Sequence, residues 1–154
     1  MRVARHGVSA ELPAGWDARV YRRDAVEAGA TTHSVLHAAT FPLPPGRGDF
    51  GSGAVERMGR GDVFVALIEF HPDAAATPLF ARKGLPRRLE PASFGPNRLQ
   101  RALPGQSGTQ RFFSADGRAF CLYVVLGDDR RRKALLPAVH RLLAGVQLDP
   151  LSRS

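Results

Sequence analysis

Residues 63–70 have the sequence VFVALIEF, in which β-branched and aromatic residues follow one another almost without a break. Successive side chains of a strand point to opposite faces of its sheet, so a continuous apolar run is typical of a strand that is buried on both faces. β-branched and aromatic residues also favour strands over helices. We therefore predict that residues 63–70 form the central strand of a sheet.

The sequence before this strand predicts a hairpin. In GVSAELPAGWDARVYRR, residues 7–23, apolar and polar residues alternate on both sides of LPAG. Pro13 presets one backbone angle of the connection and Gly15 tolerates a positive φ, so the two runs are predicted to pair with each other. The only tryptophan, Trp16, is expected to close one end of the core.

Two further regions favour strands. SVLHAATF, residues 34–41, is apolar enough for a third strand. The runs TQRFFS and RAFCLYVVLG lie on either side of Asp116 and Gly117, which suit the positive φ of a tight turn. They predict a second hairpin.

An amphipathic helix is predicted near the end of the chain, in RRRKALLPAVHRLLAG, residues 130–145. Gly145 stands at the expected stop position, and the apolar face consists of Leu135, Val139, Leu142 and Leu143. Because proline is tolerated only in the first turn of a helix, Pro137 places the start of the regular helix at about Leu135. The following VQL is predicted to be a closing strand.

Together these elements predict an α+β fold in a single domain of residues 1–154. An antiparallel β-sheet built from hairpins carries the C-terminal helix on one face. SGAVERMG, residues 52–59, adds at most a short helix with Ser52 as its N-cap.

Residues 78–105 are predicted to form a long proline-rich arm that packs over the sheet, because the prolines prevent a long helix or a central strand. Long ordered loops are uncommon in compact domains and are often functional. The arm is therefore the predicted partner-binding region, with the site residues Arg82, Arg87, Arg88, Phe94, Arg98 and Arg101. The alternative is that leucines and phenylalanines only hold the arm on the sheet while the arginines face water.

The charge of the chain is unevenly distributed. Its net charge is +8, with −1 in residues 1–77 and +9 in residues 78–154. Clustered cations attract nucleic acids, anionic lipids or acidic proteins. However, 20 of the 22 basic residues are arginine, which a GC-rich coding bias would also produce.

Length and cysteine content indicate the broad class of protein. The 154 residues are enough for one domain with a continuous core, and the single cysteine, Cys121, cannot form an internal disulfide. The sequence shows no signal-peptide pattern and no apolar run of about 18 residues, so we expect a cytoplasmic protein without membrane insertion.

The order of these elements resembles that of a known superfamily. GVSAELPAGW, RFFSADGRAFCLYVVLG and LLPAVHRLLAGVQL are similar in arrangement to the α/β/α sandwich of the PsbP and Mog-type superfamily, including its actinobacterial lipoprotein relatives. The resemblance covers about residues 7–23 and 109–149 and leaves the arm unmatched. It implies an accessory or binding role without catalysis. No functional residue is carried over, and the chain departs from the lipoproteins in having no signal peptide or lipidated cysteine.

Three short motifs match known chemistry but not the context that the chemistry needs. GRGDFG, residues 46–51, fits a dinucleotide-binding glycine pattern, yet PLPP rather than a strand precedes it. Arg-Gly-Asp, at residues 47–49 and 60–62, is interpreted as two polar turns. His33 and His37 would lie about 13 Å apart on a strand, too far to share a metal. We expect no cofactor and no metal.

The sequence also contains no recognisable catalytic set. Ser52 and Ser107 lie among glycines without the Gly-x-Ser-x-Gly pattern, and Cys121 is expected to pack as a small hydrophobic residue. Glu69 and Asp62 are isolated carboxylates beside a buried strand. The protein is therefore predicted not to be an enzyme.

The leading hypothesis is a non-enzymatic accessory or adaptor protein that binds a protein partner through its arginine-rich arm. The first alternative is a protein that binds nucleic acid or an anionic surface through the same arginines, with an affinity that falls steeply as salt rises. The second alternative is a small enzyme with a pocket between arm and sheet. A homo-oligomer is left open.

Overall fold

The elements of the fold are eight strands and one α-helix, in a computed structural model that describes residues 1–22, 33–45, 53–99 and 103–150. The helix, α1, spans Arg132–Ala144. The strands are β1 (Arg2–Arg5), β2 (Val8–Glu11), β3 (Asp17–Arg22), β4 (Ser34–Ala39), β5 (Val63–Phe70), β6 (Ser107–Ala115), β7 (Arg118–Leu126) and β8 (Val146–Leu148). The predicted α+β class with antiparallel pairing and a C-terminal helix is confirmed.

The larger sheet has five antiparallel strands in the order β3-β4-β5-β7-β6. β5 is its central strand, as predicted, and is buried along almost its whole length. β6 and β7 form the predicted hairpin, in which Asp116 and Gly117 have φ values of 49° and 85°. The predicted strand in residues 34–41 is β4.

A second, three-stranded sheet has the order β1-β2-β8, and it shows that the predicted N-terminal hairpin is wrong. β2 pairs with β1 and β8, whereas β3 pairs with β4 in the larger sheet. The chain reverses earlier, at His6 and Gly7, which have φ values of 54° and 76°. Alternating apolar residues correctly indicated the strands, but that pattern contains no information about which strand is the partner.

Both faces of the five-stranded sheet are covered. On one face, Val65 and Leu122 belong to a core that also includes residues of α1, of the three-stranded sheet and of the arm. On the other face, Phe64 and Ile68 belong to a second core to which connecting segments contribute Leu43, Val55, Leu99 and Leu103. Because both faces of the sheet are packed against other parts of the chain, apolar side chains are required on both sides of β5, and its sequence is apolar almost without a break.

The helix begins at Arg132, three residues before the predicted start. Pro137 lies inside it and is exposed, so water can bind the one carbonyl that loses its helical partner. Leu136 is buried and Leu135 only half-buried, which shifts the predicted apolar face by one position. Gly145 ends the helix as predicted, but its φ is −93°, and glycine is required because a Cβ would lie 2.5 Å from the carbonyl oxygen of Glu11.

Arg118, the first residue of β7, connects the two sheets and is only 5% exposed. Its Nε and Nη2 donate to the carboxylate of Glu69 at 2.7 and 2.9 Å. Its Nη1 donates to the carbonyls of Gly7 and Asp149 at 2.9 and 3.0 Å, and Nη2 reaches that of His6 at 3.2 Å. One side chain of the larger sheet therefore binds the β1–β2 turn and the residue that follows β8.

Glu69 provides the counter-charge of this cluster and also accepts a hydrogen bond of 2.7 Å from Ser34 Oγ. Burial by itself would raise the pKa of the Glu69 carboxyl, but hydrogen bonds from Arg118 and Ser34 outweigh it and lower the pKa. Glu69 is therefore not an isolated carboxylate.

The backbone just after β7 is also in very close contact with the loop that precedes β5. A Cβ on Gly127 would lie 1.9 Å from the carbonyl oxygen of Gly59. The peptide N–H of Gly127 donates to the carbonyl of Asp62 at 2.9 Å, which holds the two backbones together. Only glycine fits at position 127.

We predict that Glu69→Gln lowers the free energy of unfolding at pH 7 by about 3 kcal/mol, because buried Arg118 loses its counter-charge. Since the folded pKa of Glu69 lies below its ordinary value of 4.5, its contribution is complete above that pH and is lost as the pH falls through the folded pKa. Denaturant unfolding between acid and neutral pH measures both effects, with the exposed Glu90→Gln as control. Equal pH dependence in wild type and Glu69→Gln would contradict this account.

We also predict that Gly127→Ala lowers the free energy of unfolding by about 3 kcal/mol, because the backbones must separate to admit a methyl group. The matched control is Gly61→Ala, whose Cβ would lie 3.8 Å from Arg131 Nη1, an ordinary contact. Urea titrations of both variants test the difference. Similar midpoints for the two variants would show that the loop adapts freely.

Candidate functional site

The arm crosses the outer edge of β6 twice. At the first crossing, Ser114 N–H donates to the carbonyl of Arg82 and Gly84 N–H donates to the carbonyl of Ser114, both at 2.8 Å. At the second crossing, Gly95 and Gly108 exchange two hydrogen bonds of 3.1 and 3.0 Å. The arm is thus attached to an edge strand at two points six residues apart on β6.

Between the crossings, the arm runs along α1 in the opposite direction. The peptide N–H of Leu89 donates to Nε2 of His140 at 3.0 Å, and Nη1 of Arg132 donates to the carbonyl of Phe94 at 2.7 Å. Arg87 Nη1 donates to the carbonyl of Leu143, in the last turn of the helix. Such a carbonyl has no partner further along the helix, and a cation there also complements the helix dipole.

The five arginines of the predicted site fall into three groups. Arg82, Arg88 and Arg98 are exposed, and their side chains have no hydrogen bond or ion pair with the rest of the described chain. Arg87 is exposed as well, but it binds α1 as described above. Arg101 lies outside the described residues.

The position of Phe94 contradicts the prediction that it binds a partner. It is only 2% exposed and belongs to the core beneath α1, so its ring is not available to a partner. Phe80 is also buried, with its ring centroid 5.6 Å from those of Phe70 and Phe112. Both phenylalanines therefore hold the arm on the folded body, as the alternative interpretation of the sequence expected.

A cleft of about 510 Å³ lies where the arm returns to β6, and its walls are Ser93, Arg98, Thr109, Gln110 and Arg111. Arg111 Nη2 donates to Ser93 Oγ at 2.6 Å. Arg111 is not among the site residues that the sequence predicted. The sequence nevertheless contains a sign of its position. Arg111 is a charged residue within a run that is otherwise typical of a strand, and charged residues are common in strands at exposed sheet edges.

A second cleft, of about 440 Å³, lies at the end of the larger sheet, where Arg60, Gln106 and Arg130 form part of its wall. Nearby, residues 60–62 form a turn, as predicted. Asp62 N–H donates to the carbonyl of Gly59 at 3.1 Å, and Gly59 N–H donates to the Asp62 carboxylate at 2.8 Å. The other Arg-Gly-Asp copy, the GRGDFG motif and the predicted cap Ser52 lie outside the described residues.

Most of the described side chains that the sequence offered as possible nucleophiles or metal ligands are buried. Burial raises the pKa of the Cys121 thiol to about 12, which leaves it protonated at neutral pH. His37 packs between the rings of Tyr21 and Phe64, whereas His33 lies against His71. Within the described ranges, no three His, Cys, Asp or Glu side chains are grouped as a metal site would require.

No protein-family model, curated protein or solved structure matches this chain. The resemblance to the PsbP and Mog-type superfamily therefore stays a prediction. None of the described helices has the length and apolar character needed to span a membrane.

We predict that Phe94→Ala lowers the free energy of unfolding by about 3–4 kcal/mol, because it removes a large buried ring from the core. Leu79→Ala is the control, since Leu79 also belongs to the arm but is 60% exposed, and its truncation should change stability by less than about 0.5 kcal/mol. Thermal and denaturant unfolding measure both effects. A negligible loss in Phe94→Ala would mean that the ring is not part of the core.

Proposed function

We propose that the protein is a non-enzymatic accessory or adaptor protein whose arginine-rich arm binds an acidic surface of a protein partner. The observation that carries this proposal is that Arg82, Arg88 and Arg98 are exposed on an arm that is attached to the folded body, and that their guanidinium groups have no partner among the described residues. Side chains on a fixed scaffold lose less conformational entropy on binding than side chains on a mobile loop.

The charges around the arm support an acidic partner. Lys83 adjoins Arg82, and Arg141 is exposed in the last turn of α1, the turn that Arg87 binds. Glu90 is the one acidic residue in the described part of the arm. A surface of this composition attracts carboxylates over a distance of about a Debye length.

A protein partner is favoured over a single-stranded nucleic acid by the burial of the arm's phenylalanines. Proteins that bind single-stranded nucleic acids stack bases on exposed aromatic rings. Phe80 and Phe94 are both buried, so neither offers such a ring. The exposed charged residues in the described part of the arm are instead mainly arginines, and arginine is enriched at protein–protein interfaces.

The space between arm and sheet supports binding rather than catalysis. On the α1 side it is filled by Leu89 and Phe94. The remaining cleft has arginine, serine, threonine and glutamine in its walls, and these described residues include no carboxylate, imidazole or thiol that could act as a general base.

The test compares two triple charge reversals that change the net charge equally. Arg82→Glu, Arg88→Glu and Arg98→Glu together remove the unengaged guanidiniums of the arm. The control combines Arg5→Glu, Arg57→Glu and Arg60→Glu, which are exposed and lie outside the arm. Immobilised protein is incubated with nuclease-treated lysate of the source cells, and retained proteins are identified by mass spectrometry.

We expect wild type and control to retain the same acidic protein, and the arm variant to lose it. Retention of that protein by all three would contradict the proposal. Binding of labelled single-stranded or duplex oligonucleotides, in the absence of any retained protein, would establish the nucleic-acid alternative instead.

A further inference from the structure

Between the two crossings of the arm, no described residue pairs with the outer edge of β6. At the crossings, Gly108 and Ser114 direct both their N–H and their C=O groups away from β7 and towards the arm. Alternate residues of an antiparallel strand point the same way, so Gln110 and Phe112 also direct their backbone groups outward. In the described part of the chain, these groups have no hydrogen-bond partner.

The space beside this edge is suited to an extended peptide. The crossing points, Gly108 and Ser114, are about 20 Å apart along the strand, which is room for about five residues in extended conformation. The cleft of about 510 Å³ lies on this edge, with Thr109, Gln110 and Arg111 on one side and residues of the arm on the other.

The charge of the edge indicates which peptide would bind. Arg98 and Arg111 form part of the cleft wall, and the other crossing carries Arg82 and Lys83. Carboxylates pair well with arginine forks. A second copy of this chain is a poor occupant, because β6 against β6 would bring arginines of the two copies together, and like charges in adjacent strands are destabilising.

We propose that the outer edge of β6 binds an extended acidic segment of the partner as an additional strand. Gln110 and Phe112 donate to and accept from the peptide backbone, and the peptide's carboxylates pair with Arg98 and Arg111. Strand addition of this kind obtains affinity from main-chain hydrogen bonds and specificity from side chains. The inference rests on the proposed function and specifies how the partner is recognised.

The test uses a blocked pentapeptide of alternating glutamate and valine, with glutamate at both ends, because its length matches the space between the crossings. Its control has the same side chains and charges but carries an N-methyl group on every amide, so that neither of its edges can donate the hydrogen bonds of a strand pair. We expect the unmethylated peptide to slow the amide hydrogen exchange of Gln110 and Phe112, measured by NMR. Exchange of the Arg111 amide, which points towards β7, should stay unchanged.

A pair of variants isolates the backbone donor. Gln110→Pro and Gln110→Ala both remove the glutamine side chain, but only the proline variant also removes the outward N–H, and proline is tolerated in edge strands. We expect the affinity of the peptide to fall about tenfold or more in the proline variant, and to stay unchanged in the alanine variant. If Gln110→Pro does not fold, the N-methylated peptide still decides the question with wild-type protein.

The outcomes separate this inference from the proposed function. Equal binding of the methylated peptide, or chemical-shift changes at Arg88 and α1 rather than at β6, would overturn strand addition. So would a dimer held through β6 in solution. If neither peptide binds while the arm charge reversals still abolish partner retention, only the strand inference fails; if those reversals have no effect either, both fail.

Discussion

The guanidinium group of Arg118 fixes how the two sheets of this protein are joined. It is buried, it pairs with Glu69 of the central strand, and its remaining donors bind backbone carbonyls of the three-stranded sheet. A buried charge that loses its partners costs several kcal/mol, so other orientations of the small sheet are strongly disfavoured. The position of β8 in turn fixes the end of α1, and α1 provides the surface along which the arm runs.

The arm solves a structural problem as well as presenting charges. An exposed edge strand with unpaired backbone groups tends to pair with other chains. Here the arm pairs with both ends of the β6 edge and leaves its middle open beside two arginines. Charge at an edge prevents indiscriminate aggregation, yet it also selects for an oppositely charged segment. In the proposed binding mode, protection and selective recognition come from the same residues.

The parts of the fold that the sequence predicted correctly are those set by local patterns. The apolar run of β5, the Asp116–Gly117 turn and the helical spacing before Gly145 each depend on residues close in the chain. The pairing of strands that no tight turn connects depends on residues far apart in the chain, which is why the predicted N-terminal hairpin was wrong. The same limit applied to the site. The exposure of Arg82, Arg88 and Arg98 follows from their charge, but the burial of Phe94 and the contacts of Arg118 depend on residues far away in sequence.

The pairing of β2 with β8 has a consequence for the order in which the protein folds. Val8 pairs with Leu148, close to opposite ends of the chain, whereas all pairs of the five-stranded sheet form between residues 17 and 126. Because closing long loops is entropically costly, contacts of high sequence separation form late. During synthesis, the β1–β2 ribbon therefore leaves the ribosome long before its third strand, β8. The apolar side chains of Val8 and Ala10 can be fully covered only after α1 and β8 have been synthesised.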